Sequence, residues 1–230
     1  NSEFRSPNGI TVSENKFVYV VDTGNNRIQK FTFDGEYISS FGKNDNSEGS
    51  LNSPRDIAID ATGKLFVTDP GNKRINVYKD DGEFLRTFDS SVGGFSIFPT
   101  GIIFDENNNF YISDQTNNRI IQFNEYGVTL SVFGTMGDEK GQFKVPKDIA
   151  IDNKGFLYVV DSLAHQIQKF STPIASEKLI IEEELKEQEA TQIQAEESES
   201  LPELEEISEC PTHALSGITN NCFIDLINAY

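Results

Sequence analysis

The chain has 230 residues, 37% of them hydrophobic, with 18 Phe, 7 Tyr and no Trp, which is enough to build one or two ordinary cores. Its net charge is −18, and the excess is uneven: residues 1–173 carry −6 and residues 174–230 carry −12. An acidic surface repels phosphate backbones, so nucleic acid is disfavoured as a partner, and no apolar run reaches the ~18 residues that a membrane-spanning helix needs.

Taken in order, the chain repeats itself. Pro7, Pro54, Pro99 and Pro146 each precede an Asp by 15 residues, at Asp22, Asp69, Asp114 and Asp161. In the first three copies a turn glycine follows 13 residues later, at Gly35, Gly82 and Gly127, and a Phe six residues after that, at Phe41, Phe88 and Phe133. Only the connector to the next Pro varies, so each unit is one folded element joined by surface linkers.

Each unit reads as four strands. In the second these are Asp56–Asp60, Leu65–Thr68, Arg74–Tyr78 and Glu83–Phe88, with Asp81-Gly82 as a two-residue hairpin signal. The inner strands are apolar on both faces and the outer ones alternate. Small four-stranded sheets packed face to face are the blades of a β-propeller, so the fold class expected is all-β. Blades are expected at about 7–53, 54–98, 99–145 and 146–173; the last ends after its third strand, with Ile174 where a turn glycine stood before.

The recurring pattern is Pro-x-Asp/Gly-Ile-x-x-Asp, then Val-x-Asp-x-Gly-Asn-x-Arg-Ile-x-x-Phe, then Asp-Gly, then Phe-Gly. It resembles the NHL repeat family over about residues 4 to 172. That resemblance implies a ring of six blades, of which four are present here. The chain then reads as part of a larger ring, its four blades forming an open arc with apolar faces at the two ends, prone to association.

The most regular charges are Asp22 with Arg27, Asp69 with Arg74 and Asp114 with Arg119; Asp161 lacks the arginine. An active site needs a residue once, whereas a scaffold needs it in every blade. These residues are therefore read as staples, each carboxylate holding its turn through loop N–H groups and the Arg. Residues that differ at equivalent places are better ligand contacts. Directly after each Pro stand Asn8-Gly9, Arg55-Asp56, Thr100-Gly101 and Lys147-Asp148. They open the innermost strands and should ring one mouth of the central channel, so Asn8, Arg55, Asp56, Thr100, Lys147 and Asp148 are the candidate ligand-binding residues on the top face.

Some propellers similar to this one are lyases or lactonases. A catalytic zinc needs about three protein ligands, often His, and this chain has two His, His165 and His213. No catalytic residue and no metal ligand is assigned, and the cofactor expectation is none. A channel calcium remains an alternative, with Asp56, Asp148 and Asn8 as oxygen donors. The expected function is a non-enzymatic scaffold for a protein partner or small ligand; the alternative is a lyase or lactonase whose channel metal is completed by further blades.

From residue 174 to 209 the chain reads as an acidic helix that gives way to a self-repelling linker from Gln192. Residues 210–230 begin a small segment holding both cysteines. In an oxidising compartment Cys210 and Cys222 can close a disulfide. Blades free of thiols and an acidic surface favour an extracellular or cell-envelope setting, with the cytoplasm as the alternative.

Overall fold

In the computed structural model, the residues described are 3–45, 47–88 and 96–199. Blade 1 is the antiparallel meander β1 (Pro7–Val12), β2 (Val18–Asp22), β3 (Arg27–Phe31) and β4 (Tyr37–Phe41). Blade 2 repeats it with β5 (Ile57–Ile59), β6 (Leu65–Asp69), β7 (Arg74–Tyr78) and β8 (Phe84–Phe88). Blade 3 holds β9 (Pro99–Phe104), β10 (Phe110–Asp114), β11 (Arg119–Phe123) and β12 (Thr129–Phe133). A short parallel ribbon, β13 (Thr135–Met136) with β14 (Gln142–Phe143), leads into blade 4, which sequence periodicity does not reveal. Blade 4 has three strands, β15 (Pro146–Ile151), β16 (Leu157–Asp161) and β17 (Gln166–Phe170). The fold is thus an all-β arrangement of four propeller blades.

The constant Pro-to-Asp spacing has a direct cause. Pro7 pairs with Asp22, Pro99 with Asp114 and Pro146 with Asp161 across the first hairpin of their blades. Each of these ladders carries a bulge beside the Pro–Asp pair, in the same place in all three blades, and a further slip of one residue would turn the core side chains to the wrong face. At the outer hairpins Gly35, Gly82 and Gly127 take φ of +90°, +92° and +84°, where a Cβ would be strained.

Three apolar cores lie between consecutive blades. Tyr19, Val21 and Ile28 of blade 1 meet Leu65, Val67 and Tyr78 of blade 2. On the opposite face of blade 2, Phe66, Ile75 and Val77 pack against Ile102, Phe110 and Phe123 of blade 3. Tyr111 and Ile120 of blade 3 then meet Ile149, Leu157 and Val159 of blade 4. Among the described residues the two outermost faces have no such cover. Ile28, Ile75 and Ile120 are fully buried, whereas Ile167, the same position in blade 4, is 67% exposed, and Ile10 at the other end is 63% exposed. The expected open arc with apolar end faces is what these exposures describe.

Helix α1 (Pro173–Glu199) follows β17 directly. Thr172 caps it, its hydroxyl accepting the N–H of Ala175, and Pro173 sits at the first helical position, where a missing N–H costs nothing. Ile174 and Ala175 are buried, and a Cβ on Gly155 would meet both. Lys178 bonds Glu106 and the carbonyl of Asn153, and Lys154 pairs with Glu182, so the first turns brace the hairpins at one end of blades 3 and 4. The helix extends to Glu199, past Gln192, where the charge pattern suggests a linker. Residues 184–199 continue this helix and belong to a second compact unit. The expected Cys210–Cys222 pair and the rest of the linker, 200–209, lie outside the described residues.

Candidate functional site

The staples come first, because they define the end of the barrel on which the candidate site opens. After each Asp a single 3-10 turn (Thr23–Asn25, Pro70–Asn72, Gln115–Asn117) ends on a residue in the left-handed region, Asn26, Lys73 or Asn118. Asn tolerates that conformation better than most residues, and the repeated Asn follows from it. The Asp side chain does not cap its own turn, as the sequence suggested. It accepts instead the backbone N–H of the linker arriving at its blade: Arg5 for Asp22 (2.7 Å), Asn52 for Asp69 (2.7 Å) and Phe98 for Asp114 (2.9 Å). The other oxygen takes the next Asn side chain and the Arg Nε, at 2.8 Å in Asp22–Arg27 and Asp114–Arg119 and 3.1 Å in Asp69–Arg74. Each staple therefore ties a linker to its blade as well as closing a turn. Asp161, which lacks an Arg, compensates by accepting two linker N–H groups, from Lys144 and Val145.

All four carboxylates are fully buried, yet two of them differ in acidity. Burial opposes the charge of Asp22, but bonds from the Arg5 N–H, Asn25, Arg27 and Gln29 outweigh it and hold the carboxyl below its ordinary value. For Asp69 burial prevails over Asn52, Asn72 and Arg74, and the carboxyl lies above its ordinary value. Two things differ: Asp22, in the end blade, has less protein packed around it than Asp69, and it has one more donor. Gln29 bonds Asp22 at 2.9 Å, while Asn76, its counterpart, turns to the Ser50 carbonyl and the Tyr78 hydroxyl.

The six candidate residues after the prolines converge. Asn8, Arg55, Asp56, Thr100, Lys147 and Asp148 line one cavity of about 650 Å³ at the channel mouth. Adjacent to them in that lining stand Gln115, Val160 and Ser162, which the sequence did not single out because they belong to the staple turns. Arg55, Lys147 and Asp148 are exposed, Asp56 is partly exposed, and Thr100 is buried.

The mouth is held by bonds between blades. The Thr68 hydroxyl accepts the Asp56 N–H (2.8 Å) and donates to the Thr100 carbonyl (3.0 Å). The Ser113 hydroxyl accepts the Gly101 N–H (2.7 Å) and donates to the Lys147 carbonyl (3.3 Å). Where blade 1 has Val21 in that place, the Gly9 N–H reaches the Arg55 carbonyl directly, at 2.9 Å. That approach needs glycine: a Cβ on Gly9 would stand 2.6 Å from Asp56 Cα and 2.5 Å from its Oδ1. Asp56 itself bridges blades, Oδ1 accepting its neighbour Ile57 (2.8 Å) and Oδ2 accepting Ile102 of blade 3 (2.9 Å). Desolvation is the main influence on its carboxyl, which is pushed up to about 6 against those two N–H bonds and with added repulsion from Asp148.

A larger cavity, about 860 Å³, opens where the β1–β2, β5–β6 and β9–β10 hairpins gather. Four of its five carboxylates, all but Glu14, are committed, Asp80 to Lys30. Asp60 accepts the N–H of Thr62 and Lys64, Asp105 those of Asn107 and Asn109, and Glu106 pairs with Lys178. These bonds build hairpins, so the smaller mouth with its unlike residues is the better candidate. Among the described residues no three His, Cys, Asp or Glu side chains are grouped so as to hold a metal ion. The oxygen donors considered for calcium, Asp56, Asp148 and Asn8, share the mouth, and each Asp56 oxygen also accepts one backbone N–H. None of the described helices is long and apolar enough to cross a membrane.

Comparison with known proteins agrees with this architecture. The NHL repeat model matches residues 4–31 and 143–170, the first three strands of blade 1 and blade 4. Among solved structures, one similar chain comes from a nidogen/laminin complex: 27% identity, 71% of this chain and 60% of that one, TM-score 0.57. Another is a catalytically inactive virginiamycin B lyase of Staphylococcus aureus with quinupristin: 18% identity, 73% and 56% covered, TM-score 0.54. A third is described as a gluconolactonase by assignment: 16% identity, 75% and 61% covered, TM-score 0.59. The last two likenesses concern the fold alone. This chain spans between 56% and 61% of the length of these three structures.

Proposed function

We propose that these NHL-type blades are a binding module that takes a protein partner or small ligand at the channel mouth formed by Asn8, Arg55, Asp56, Thr100, Lys147 and Asp148. One observation carries this reading: the residues that break the repeat gather around one cavity, while the residues that keep it are spent on staples. Variable positions displayed by a rigid repeated frame are where recognition resides. The likeness to a chain of the nidogen/laminin complex supports a protein-binding role. The acidic composition disfavours nucleic acid, and thiols confined to the tail support an extracellular or cell-envelope location.

The alternative is a propeller lyase, motivated by the fold shared with virginiamycin B lyase. Incubation with quinupristin followed by mass spectrometry separates the two: unchanged substrate is expected, and its linearisation would favour the enzyme. For the binding reading, backbone amide shifts are mapped while a small-molecule and peptide library is titrated. Shifts confined to residues 8–9, 55–56, 100–101 and 147–148 support it; hits that map elsewhere count against it.

A further inference from the structure

We infer that this mouth is built for a zwitterion, a ligand carrying a carboxylate and an ammonium group such as a short unmodified peptide; the inference rests on the binding reading above. The positions after the prolines alternate. The first is Asn8, Arg55, Thr100, Lys147 and the second is Gly9, Asp56, Gly101, Asp148. Blades 2 and 4 each bring a cation and a carboxylate, and blade 3 between them brings Thr100 and Gly101. The Thr100 hydroxyl is turned inward, 2.9 Å from Ser113 Oγ, and Gly101 has no side chain. The floor over blade 3 is therefore low, with charged walls on either side.

The charges at the mouth differ in how far they are already satisfied. Neither the Arg55 guanidinium nor the Lys147 ammonium has an ion-pair partner among the described residues. Both are exposed, on a chain whose net charge is −18. An unpaired Arg fork presents parallel N–H donors suited to a carboxylate. On the acidic side, Asp56 spends both oxygens on the N–H groups of Ile57 and Ile102. Asp148 accepts only Ile149, at 2.9 Å through Oδ1. Its Oδ2, the counterpart of the oxygen with which Asp56 bridges to blade 3, has no hydrogen-bond partner among the described residues. The site thus offers two cations to an anionic group and one carboxylate oxygen to a donor. The cavity of about 650 Å³ holds a ligand of tripeptide size.

The test titrates the full chain with four probes: triglycine, N-acetyl-triglycine amide, succinate and putrescine. Amide shifts and calorimetry are recorded at low and at physiological salt. Triglycine is expected to bind at least tenfold more tightly than the neutral, blocked peptide, with shifts at 55–56, 100–101 and 147–149. Arg55→Met and Asp148→Asn should each weaken it at least fivefold, while Lys64→Met, at the other cavity, leaves it unchanged. Both substituted positions are exposed, and an unchanged spectrum away from the mouth verifies folding. Equal binding of the blocked peptide, or a preference for succinate or putrescine over triglycine, overturns the zwitterion. Absence of binding by all four probes while another library member shifts the mouth overturns the ligand class but leaves the binding reading standing. A library that never shifts the mouth overturns both.

Discussion

Replacing Asp69 by alanine separates a staple from a ligand site. Asp69 is fully buried and takes three donors: the Asn52 N–H at 2.7 Å, the Asn72 side chain at 2.8 Å and Arg74 Nε at 3.1 Å. Removing one partner of a buried charged pair costs about 3–5 kcal/mol, because the remaining groups lose their acceptor without regaining water. Two features place this case near the lower figure. The Arg74 side chain is 23% exposed and keeps the Ser50 carbonyl as a second partner, and burial already opposes the Asp69 charge. A loss of about 3 kcal/mol is therefore expected, or a fall in melting temperature of about 6–12 °C for a domain of this size. Urea unfolding at pH 7 measures it, and amide exchange should accelerate first in the linker at Asn52. The companion variant Arg74→Ala and the double variant give the coupling between the two side chains, expected at about 1–3 kcal/mol. A loss under about 1 kcal/mol with binding at the mouth abolished would refute the argument, because it would make Asp69 a ligand contact instead of a structural tie.

Other consequences follow from the contacts between blades. Thr68→Val keeps the shape but removes the hydroxyl between Asp56 and Thr100, so stability should fall by about 1–2 kcal/mol in urea unfolding. Gly9→Ala sets a methyl against Asp56 Cα and should cost about 1–3 kcal/mol, with shifts in the spectrum of blades 1 and 2. Asp56 gives a pH signature. Its folded value of about 6 lies above its unfolded one, so the ionised form opposes folding: the cost is absent below the unfolded value near 4, grows up to about pH 6 and is complete above it. Asp56→Asn sets an amide NH2 against one of the two N–H groups that Asp56 accepts, so it should be less stable than wild type, with a deficit that shrinks as pH rises from 4 to 8; a deficit that shrinks on acidification would contradict the assignment.

The architecture was legible because its determinants are local and repeated. Proline and Asp face each other at the open end of the first hairpin, and Asp-Gly marks the outer hairpin. The mouth was legible for another reason: positions that vary within a strict repeat stand out against it. What escaped the sequence depends on contacts between distant segments. Nothing in Asp22 or Asp69 tells that its acceptor oxygen serves a linker 17 residues away. Gln29 and Asn76 occupy equivalent positions and look interchangeable, yet one bonds the staple and the other turns aside, which together with the heavier packing around Asp69 sets the two carboxylates apart. The ribbon of β13 and β14 lies in a connector, the part of the unit that varies from copy to copy. Ile167 carries the same sequence signal as Ile28, and only the missing cover on its face makes it exposed.

The central claim is that recognition belongs to the unlike residues at the mouth and that the repeated charges hold the frame. The most direct measurement compares two charge reversals, Arg55→Glu with Lys147→Glu at the mouth and Lys73→Glu with Lys140→Glu outside it, by calorimetric titration with triglycine and by thermal unfolding. The account predicts that the mouth pair loses binding at least tenfold with little change in melting temperature, and that the other pair binds as wild type does. Unaltered binding in the mouth pair, or equal loss in both, would contradict it.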